Sequence, residues 1–182
     1  MFQVMPAGAR RPLTVGERAA LSPGLAAALD EAGCSPRIVS RTHPASRVAA
    51  LWRGAAPILA RGQVIHWPDA PEDASAAGDE VMAILQHELQ HVLDYTSGRL
   101  NAAAYLTRPR NWRYDYRLTP SSRWSDFGVE QRASIAEHYW LLEHGRLDLV
   151  ALALPETPAS LADYDRVIPW ASPAYPLDIT AP

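Results

Sequence analysis

The chain has 182 residues, of which 48% are hydrophobic and 20% charged, and its formal net charge is −3. This composition predicts one soluble globular domain with a core of its own, and the acidic balance does not indicate a nucleic-acid or membrane partner. No apolar run reaches the roughly 18–20 residues of a membrane span, and the first residues lack the apolar stretch of a secretory signal. We therefore expect a cytoplasmic protein, with export by a dedicated secretion system as the alternative.

Short segments are predicted before residue 70: a loose arm, a helical region, a strand, a helical turn and a pair of strands. In chain order they cover residues 1–11, 14–33, 36–40, 45–52 and 57–67. Ser22-Pro23 interrupts the helical region, and Arg61-Gly62 suits a tight turn between the last two strands. Cys34 is the only cysteine, and we expect it to be a small apolar filler rather than a nucleophile.

Two longer helices are predicted in the second half of the chain. The first runs from Asp79 to about Ser97, and the second covers about residues 127–144 with Asp126 as its N-cap. Residues 100–124 between them form a long irregular segment rich in Arg, Tyr and Trp, and such loops are often functional. Prolines crowd the chain from residue 155 onward, where one short helix is expected at about 160–167.

The first of these helices carries His87 and His91, with Glu88 directly after the first histidine. Residues four apart are neighbours on a helix, so both rings can bind one metal ion at about 2.0–2.1 Å. Glu88 points away from the two rings, from where it can reach a water on the metal without being a ligand. This is the His-Glu-x-x-His pattern of zinc peptidases, of which a chain of this composition contains about 0.01 chance matches. The alternative interpretation is a core helix with two partly exposed histidines.

The third ligand is expected on the second helix, because catalytic zinc normally has three protein ligands. Asp94 and Ser97 stand where metzincins have Gly and His, which excludes that class. Glu130 is the first choice, although a solvated glutamate near a helix N-terminus is its alternative interpretation. Glu137 is the alternative ligand, an acid that contacts a ligand from behind, or a surface acid. Asp94 lies three residues after His91 and could orient an imidazole or be an alternative ligand, and a solvated helix end explains it about equally well.

Further site residues are suggested by the need for a donor to the oxyanion that develops during hydrolysis. Tyr114 and Tyr116 in the long loop are the catalytic candidates, and His138 on the second helix is a further donor, second-shell residue or alternative ligand. Ordinary aromatic packing is the alternative for each tyrosine. His66 ends the strand before the zinc helix and could line the cleft, or be a surface histidine.

The arginines of the long segment are interpreted as members of loop salt bridges. A nucleic-acid surface could be argued from their interleaving with Trp and Tyr, but the run is short and the chain is acidic. These arginines are Arg108, Arg110, Arg113 and Arg117.

The segment HELQHVLDYTSG (87–98) resembles the active-site helix of thermolysin-type gluzincins. A closer resemblance is to a group of bacterial proteins classed as zinc metallopeptidases and often found beside Rhs and Vgr secretion elements. The segments that carry it occur in the order of that group and cover about residues 12–145. They are LTVGERA (13–19), PRIVS (36–40), GQVIHW (62–67), HELQHVLD (87–94), YDY (114–116) and EQRASIAEHYW (130–140).

The resemblance implies an α+β fold: a single zincin-like domain with a small sheet, an active-site helix and a second, ligand-bearing helix. This metallopeptidase domain would cover residues 13–154, between an N-terminal arm at 1–12 and a Pro-rich C-terminal extension at 155–182. Ser134 stands where thermolysin-like enzymes have an acid that braces a histidine, which leaves that brace in doubt unless Asp94 replaces it.

The resemblance also implies the function and the cofactor. His87, His91 and Glu130 would bind Zn²⁺, and Glu88 would be the general base in the hydrolysis of a peptide or protein substrate. The alternative is a catalytically silent zincin-like module that binds metal and has a structural or secretion-associated role. A third possibility is hydrolysis of a non-peptide amide.

Overall fold

The computed structural model describes residues 2–46, 57–101, 109–154 and 160–171. Within these ranges the chain is a mixed helix-and-sheet protein built around one core, as the predicted α+β class requires. Several predicted features lie wholly or largely outside the described residues. They are the helical turn at 45–52, Arg108 and much of the segment 155–182.

The first part of the chain supplies a small sheet and two short helices. The elements are β1 (Arg10–Pro12), α1 (Val15–Ala20), α2 (Pro23–Glu31), β2 (Arg37–Val39), β3 (Leu59–Arg61) and β4 (Val64–His66). Thr14 caps α1 by accepting a hydrogen bond from the Glu17 backbone, and Glu17 in return accepts one from the Thr14 backbone. The predicted interruption at Ser22-Pro23 and the predicted strands at 36–40 and 57–67 are confirmed.

The sheet has the strand order β1-β2-β4-β3, with β2 and β4 parallel and the other two pairs antiparallel. Gly62, with φ of +59°, forms the predicted turn between β3 and β4. β4, the strand that ends at His66, is an inner strand, and β1 and β3 lie at the two edges of the sheet. β1 lies inside the predicted loose arm and is held by its pairing with β2. No local sequence pattern predicts this pairing.

The second part of the chain is helical. The elements are α3 (Asp79–Thr96), α4 (Val129–Glu143), α5 (Leu147–Ala153) and α6 (Leu161–Val167), of which α5 was not predicted. Among the described residues, no helix is both long and apolar enough to cross a membrane.

The start of α4 differs from the prediction in a way that matters for the site. Gly128, not Asp126, is the N-cap residue. Asp126 instead ends a short 3-10 turn and accepts a hydrogen bond from the Arg123 backbone N–H. A Cβ at residue 128 would lie 2.3 Å from the Arg110 carbonyl oxygen, so only glycine permits this close approach. The contact places the loop around Arg110 directly against the first turn of α4.

The core lies between the sheet, α3 and α4. Leu85, Leu89 and Val92 of α3 are fully buried, and Ala133 of α4 is also completely buried, which allows a close approach of the two helices. Tyr164, near the middle of α6, is part of the same core, as are Ile168 and Trp170, which follow that helix. Residues 160–171 of the predicted C-terminal extension therefore contribute buried side chains to the domain.

A buried ion pair links α3 to α4. The Arg132 guanidinium donates through Nε and Nη2 to Asp94 Oδ2, at 3.1 and 2.9 Å, and through Nη1 to the Phe127 carbonyl oxygen. Gln90 donates to the other carboxylate oxygen of Asp94, and the Trp170 indole donates to Gln90. Because Asp94 is three residues after His91 and Arg132 two after Glu130, this network holds together the segments that carry the candidate ligands.

We predict that Arg132→Met destabilises the protein by about 3–5 kcal/mol, because it leaves the Asp94 carboxylate buried without its cation. Arg18→Met is the matched control: the Arg18–Asp30 pair joins two exposed side chains and should contribute at most about 1 kcal/mol. Urea unfolding of both variants measures the difference. Equal effects of the two substitutions would contradict a special role for the buried pair.

Candidate metal centre

The side chains of His87, His91 and Glu130 meet between α3 and α4. Glu130 Oε2 lies 3.3 Å from His87 Nε2 and 3.2 Å from His91 Nε2. Each of the three residues offers a ligand atom within 4.8 Å of those of the other two. These residues form the one such group found among the described residues. The three residues predicted from the sequence as ligands are therefore brought together and can hold a metal ion.

The spacing of these atoms fits a small tetrahedral ion. A tetrahedron with metal–ligand bonds of about 2.0–2.1 Å has edges of about 3.3–3.4 Å. The two Glu130 contacts, 3.3 and 3.2 Å, match such edges. Two imidazoles and one carboxylate are also a ligand set that suits zinc, with a fourth position left for a non-protein ligand.

Glu137 fixes the orientation of the His87 ring. Its Oε2 lies 3.0 Å from His87 Nδ1, on the opposite side of the imidazole from the Nε2 that faces Glu130. A carboxylate at Nδ1 keeps the proton on that nitrogen and leaves Nε2 available to a metal. The sequence analysis left three roles open for Glu137: an alternative ligand, an acid behind a ligand, or a surface acid. The structure places it behind the ligand His87, seven residues after Glu130 and two turns along the same face of α4.

The charges of the cluster are strongly coupled in the protein without metal. Burial lowers the pKa of His87, but its hydrogen bonds with Glu130 and Glu137 outweigh this effect and raise the pKa to about 10. Burial raises the pKa of Glu130, yet His91 and His87 outweigh it and hold that pKa far below its ordinary value. The pKa of Glu137 is also lowered, since the His87 hydrogen bond prevails over burial. Both carboxylates are therefore ionised at neutral pH.

Glu88 lies next to the cluster without joining it. Its side chain is buried, the Ala60 backbone N–H of edge strand β3 lies close enough to favour its charged form, and its Oε2 has no hydrogen-bond partner among the described residues. Burial raises the pKa of Glu88. An incompletely satisfied buried carboxylate is costly, so this residue type at this position calls for an explanation beyond packing.

Asp94 of α3, the residue considered for orienting an imidazole, has other partners. Asp94 is engaged by Arg132 and Gln90, and those contacts, rather than a bond to an imidazole, account for its burial. His91 Nδ1 is buried without a hydrogen-bond partner in the part of the chain that the structure describes.

The two candidate tyrosines are placed differently. The Tyr114 ring stacks on His87, with ring centroids 6.1 Å apart and planes inclined by 17°, and its side chain is exposed. Tyr116 is buried, and its hydroxyl lies 2.7 Å from both His138 Nδ1 and the Tyr164 hydroxyl. Burial raises the pKa of Tyr116 well above its ordinary value. Of the two, Tyr114 is the one that contacts a candidate ligand.

His66 lies on β4, where its ring meets His43 edge to face with centroids 4.6 Å apart. Burial, followed by the nearby charges of His43 and Arg41, lowers the pKa of His66 to about 4. His66 is thus a buried, neutral histidine of an inner strand. The predicted alternatives, a cleft residue and a surface histidine, do not describe this position.

Some important residues of the site were missed from the sequence. Ala60 contributes a backbone group, which no side-chain pattern reveals. Arg132 was not singled out, although an arginine two residues after an inward-facing glutamate must bury a charge if the helix is buried on most sides. Tyr164 lies in a helix that was predicted, but its contact with Tyr116 depends on the path of the chain.

Comparison with known proteins adds nothing to this picture: no protein-family model, no curated protein and no solved structure matches the chain. The description of the site rests on its own geometry.

We predict that the protein binds one zinc ion per chain and that Glu130→Ala removes it, because two imidazoles alone leave the site incomplete. Glu137→Gln should keep the stoichiometry but weaken zinc affinity about 10–100-fold, the usual effect of losing an outer partner of a ligand. Elemental analysis and competition with a chelating dye measure both quantities. Unchanged zinc content in Glu130→Ala, with loss in Glu137→Gln, would exchange the roles of the two glutamates.

In the zinc-free protein we predict that His87 remains protonated at pH 8, since its pKa is raised to about 10. Because its folded-state pKa exceeds the ordinary value of about 6.5, the charged ring stabilises the zinc-free fold fully below about pH 6.5, and this contribution is lost as pH rises through about 10. Ring-nitrogen NMR shifts of the zinc-free protein measure the titration, and Glu137→Gln should lower the midpoint. A midpoint near 6.5 in the unsubstituted protein would contradict the coupling.

Proposed function

We propose that the protein is a zincin-like, zinc-dependent metallopeptidase. The observation that carries this proposal is the combination of a buried three-residue ligand cluster with an adjacent buried carboxylate, Glu88, that is not part of it. The cluster alone supports metal binding. The extra carboxylate supports hydrolysis, because a metal site with a purely structural role does not need a base beside it.

Zinc, when bound, acts as a Lewis acid and makes water nucleophilic at neutral pH. His87, His91 and Glu130 would hold it, and Glu137 would keep the His87 ring in the required orientation and tautomer. Glu88 accepts the proton of the attacking water and delivers it to the leaving amine, the role of a general base that then becomes a general acid. The nearby Ala60 backbone N–H of the edge strand favours the charged form of this carboxylate.

Tyr114 is the proposed donor to the carbonyl oxygen as negative charge develops there. Its exposed ring stacked on the candidate ligand His87 supports this assignment, because it places Tyr114 at the edge of the metal centre. Tyr116 has its hydroxyl engaged by His138 and Tyr164. We therefore assign Tyr116 and His138 to the support of α4 rather than to contact with the substrate.

The competing function is a catalytically silent module that binds metal and serves a structural or secretion-associated role. The buried ligand cluster is equally compatible with this function. Glu88 separates the two, because the silent module has no use for a proton acceptor at this position.

We predict that Glu88→Gln keeps zinc and the fold but lowers the rate of peptide cleavage by about 10²–10⁴-fold, the contribution of a general base. The amide has nearly the same shape, so little packing should be lost. A broad peptide library read by mass spectrometry measures cleavage, and zinc content and thermal unfolding report on the site and fold. Glu31→Gln is the matched control, because Glu31 is exposed at the end of α2. This variant should behave as the unsubstituted protein.

Loss of zinc or unfolding in Glu88→Gln would make this residue structural. Absence of cleavage by the unsubstituted, zinc-loaded protein across the library would favour the silent module.

A further inference from the structure

A pocket of about 360 Å³ lies beside the candidate metal centre, between α3, α4 and α5. Its α3 wall consists of Glu80, Ala83 and Ile84, which precede His87 by seven, four and three residues. On a helix these spacings place all four residues on one face. The pocket therefore continues the ligand-bearing face of α3 toward the N-terminus of that helix.

Glu137 connects the pocket to the metal centre. It lines the pocket, and its Oε2 contacts His87 Nδ1 while 26% of its side chain remains exposed. One imidazole ring thus separates the pocket from the point where His87, His91 and Glu130 meet. The pocket therefore borders the Nδ1 side of the candidate ligand His87.

The walls of the pocket are mostly aliphatic. Leu141 of α4 and Leu149 and Leu152 of α5 face Ile84 across the space, and Leu152 is 79% exposed. The volume is at the low end of the roughly 300–1,000 Å³ typical of small-molecule sites. It is large enough for one long side chain.

The charged residues of the pocket are both acidic. Glu137 lies at the end next to His87, and Glu80 lies at the exposed end. His138 also lines the pocket, but its Nδ1 is engaged by Tyr116. Arg146 is nearby and is committed to Asp79 and Asp148, so that it holds α5 against the start of α3.

We propose that this pocket binds a lysine or arginine side chain of the peptide substrate, next to the bond that is cleaved. Such a side chain has an aliphatic stem that packs along apolar walls and a cationic head that stays near water. The leucines and Ile84 receive the stem, and the carboxylate of Glu80 at the exposed end receives the head. This inference rests on the proposed peptidase function and adds a substrate class to it.

The test uses two series of peptides. Each series has one variable position, which is occupied by lysine, arginine, norleucine, leucine or glutamate. Norleucine is the matched control for lysine, because it retains the stem and lacks the charge. Zinc-loaded Glu88→Gln protein is titrated with each peptide to measure the dissociation constant, and the unsubstituted protein is used to map the cleavage positions. Binding and cleavage are thereby measured separately.

We expect lysine and arginine peptides to bind at least about 5-fold more tightly than norleucine peptides, as for one partly exposed ion pair, and cleavage to occur next to the basic residue. Glu80→Lys, introduced into the Glu88→Gln protein, should abolish the preference for lysine or reverse it toward glutamate. Glu31→Lys, which makes the same charge change on α2, should leave the preference intact.

Equal or tighter binding of norleucine, no binding of any peptide, or a lysine preference that survives Glu80→Lys would overturn the proposal. A lysine preference in binding without any cleavage by the unsubstituted protein would retain the pocket and reject the peptidase function. Cleavage without dependence on the basic residue would retain the peptidase function and reject the pocket.

Discussion

The candidate metal centre depends on the buried ion pair between Asp94 and Arg132. The ligands come from two helices, so their spacing is only as well defined as the position of α4 relative to α3. Arg132 makes three hydrogen bonds, two to Asp94 and one to the Phe127 carbonyl oxygen just before α4. Sliding one helix past the other would separate two buried charges, which costs far more than a shift of aliphatic contacts. The pair therefore selects one alignment, in which Glu130 reaches both histidines.

That alignment has an electrostatic consequence at the other end of the cluster. His87 lies between Glu130 and Glu137, so in the absence of metal the ring retains a proton to balance two carboxylates. A divalent cation can replace the proton at Nε2 while Glu137 keeps the one at Nδ1. Glu137 therefore has two contacts. One of its carboxylate oxygens orients His87, and the exposed part of its side chain borders the pocket toward Glu80. A group bound in that pocket would sense the charge of the metal centre through a single side chain.

The features that could be predicted from the sequence are those encoded locally. The His-Glu-x-x-His helix, the hairpin around Gly62 and the break at Ser22-Pro23 follow from periodicity and turn residues over a few positions. Glu130 needed one further step, because an acid on a second predicted helix had to face inward. The predictions fail where distant segments meet. The identity of the edge strand depends on the pairing order, β1 forms only because β2 is beside it, and Gly128 is required by the Arg110 carbonyl rather than by capping preference. The partner of Asp94 is likewise supplied by a residue 38 positions away.

The placement of edge strand β3 gives Glu88 a defined environment. Ala60 pairs with Ile65 of β4, and its backbone N–H lies close enough to Glu88 to favour the charged form of the carboxylate. Oε2 of Glu88 lacks a partner within the described residues, and the side chain is withdrawn from bulk solvent. Withdrawal from water raises the affinity of a carboxylate for protons, and a fixed orientation removes the cost of arranging it during a reaction. A glutamate at the same helical position without β3 would be free to turn toward solvent. The small sheet is thus part of the chemistry proposed for the helix pair, because its edge strand lies beside the only non-ligand carboxylate of the His-Glu-x-x-His segment.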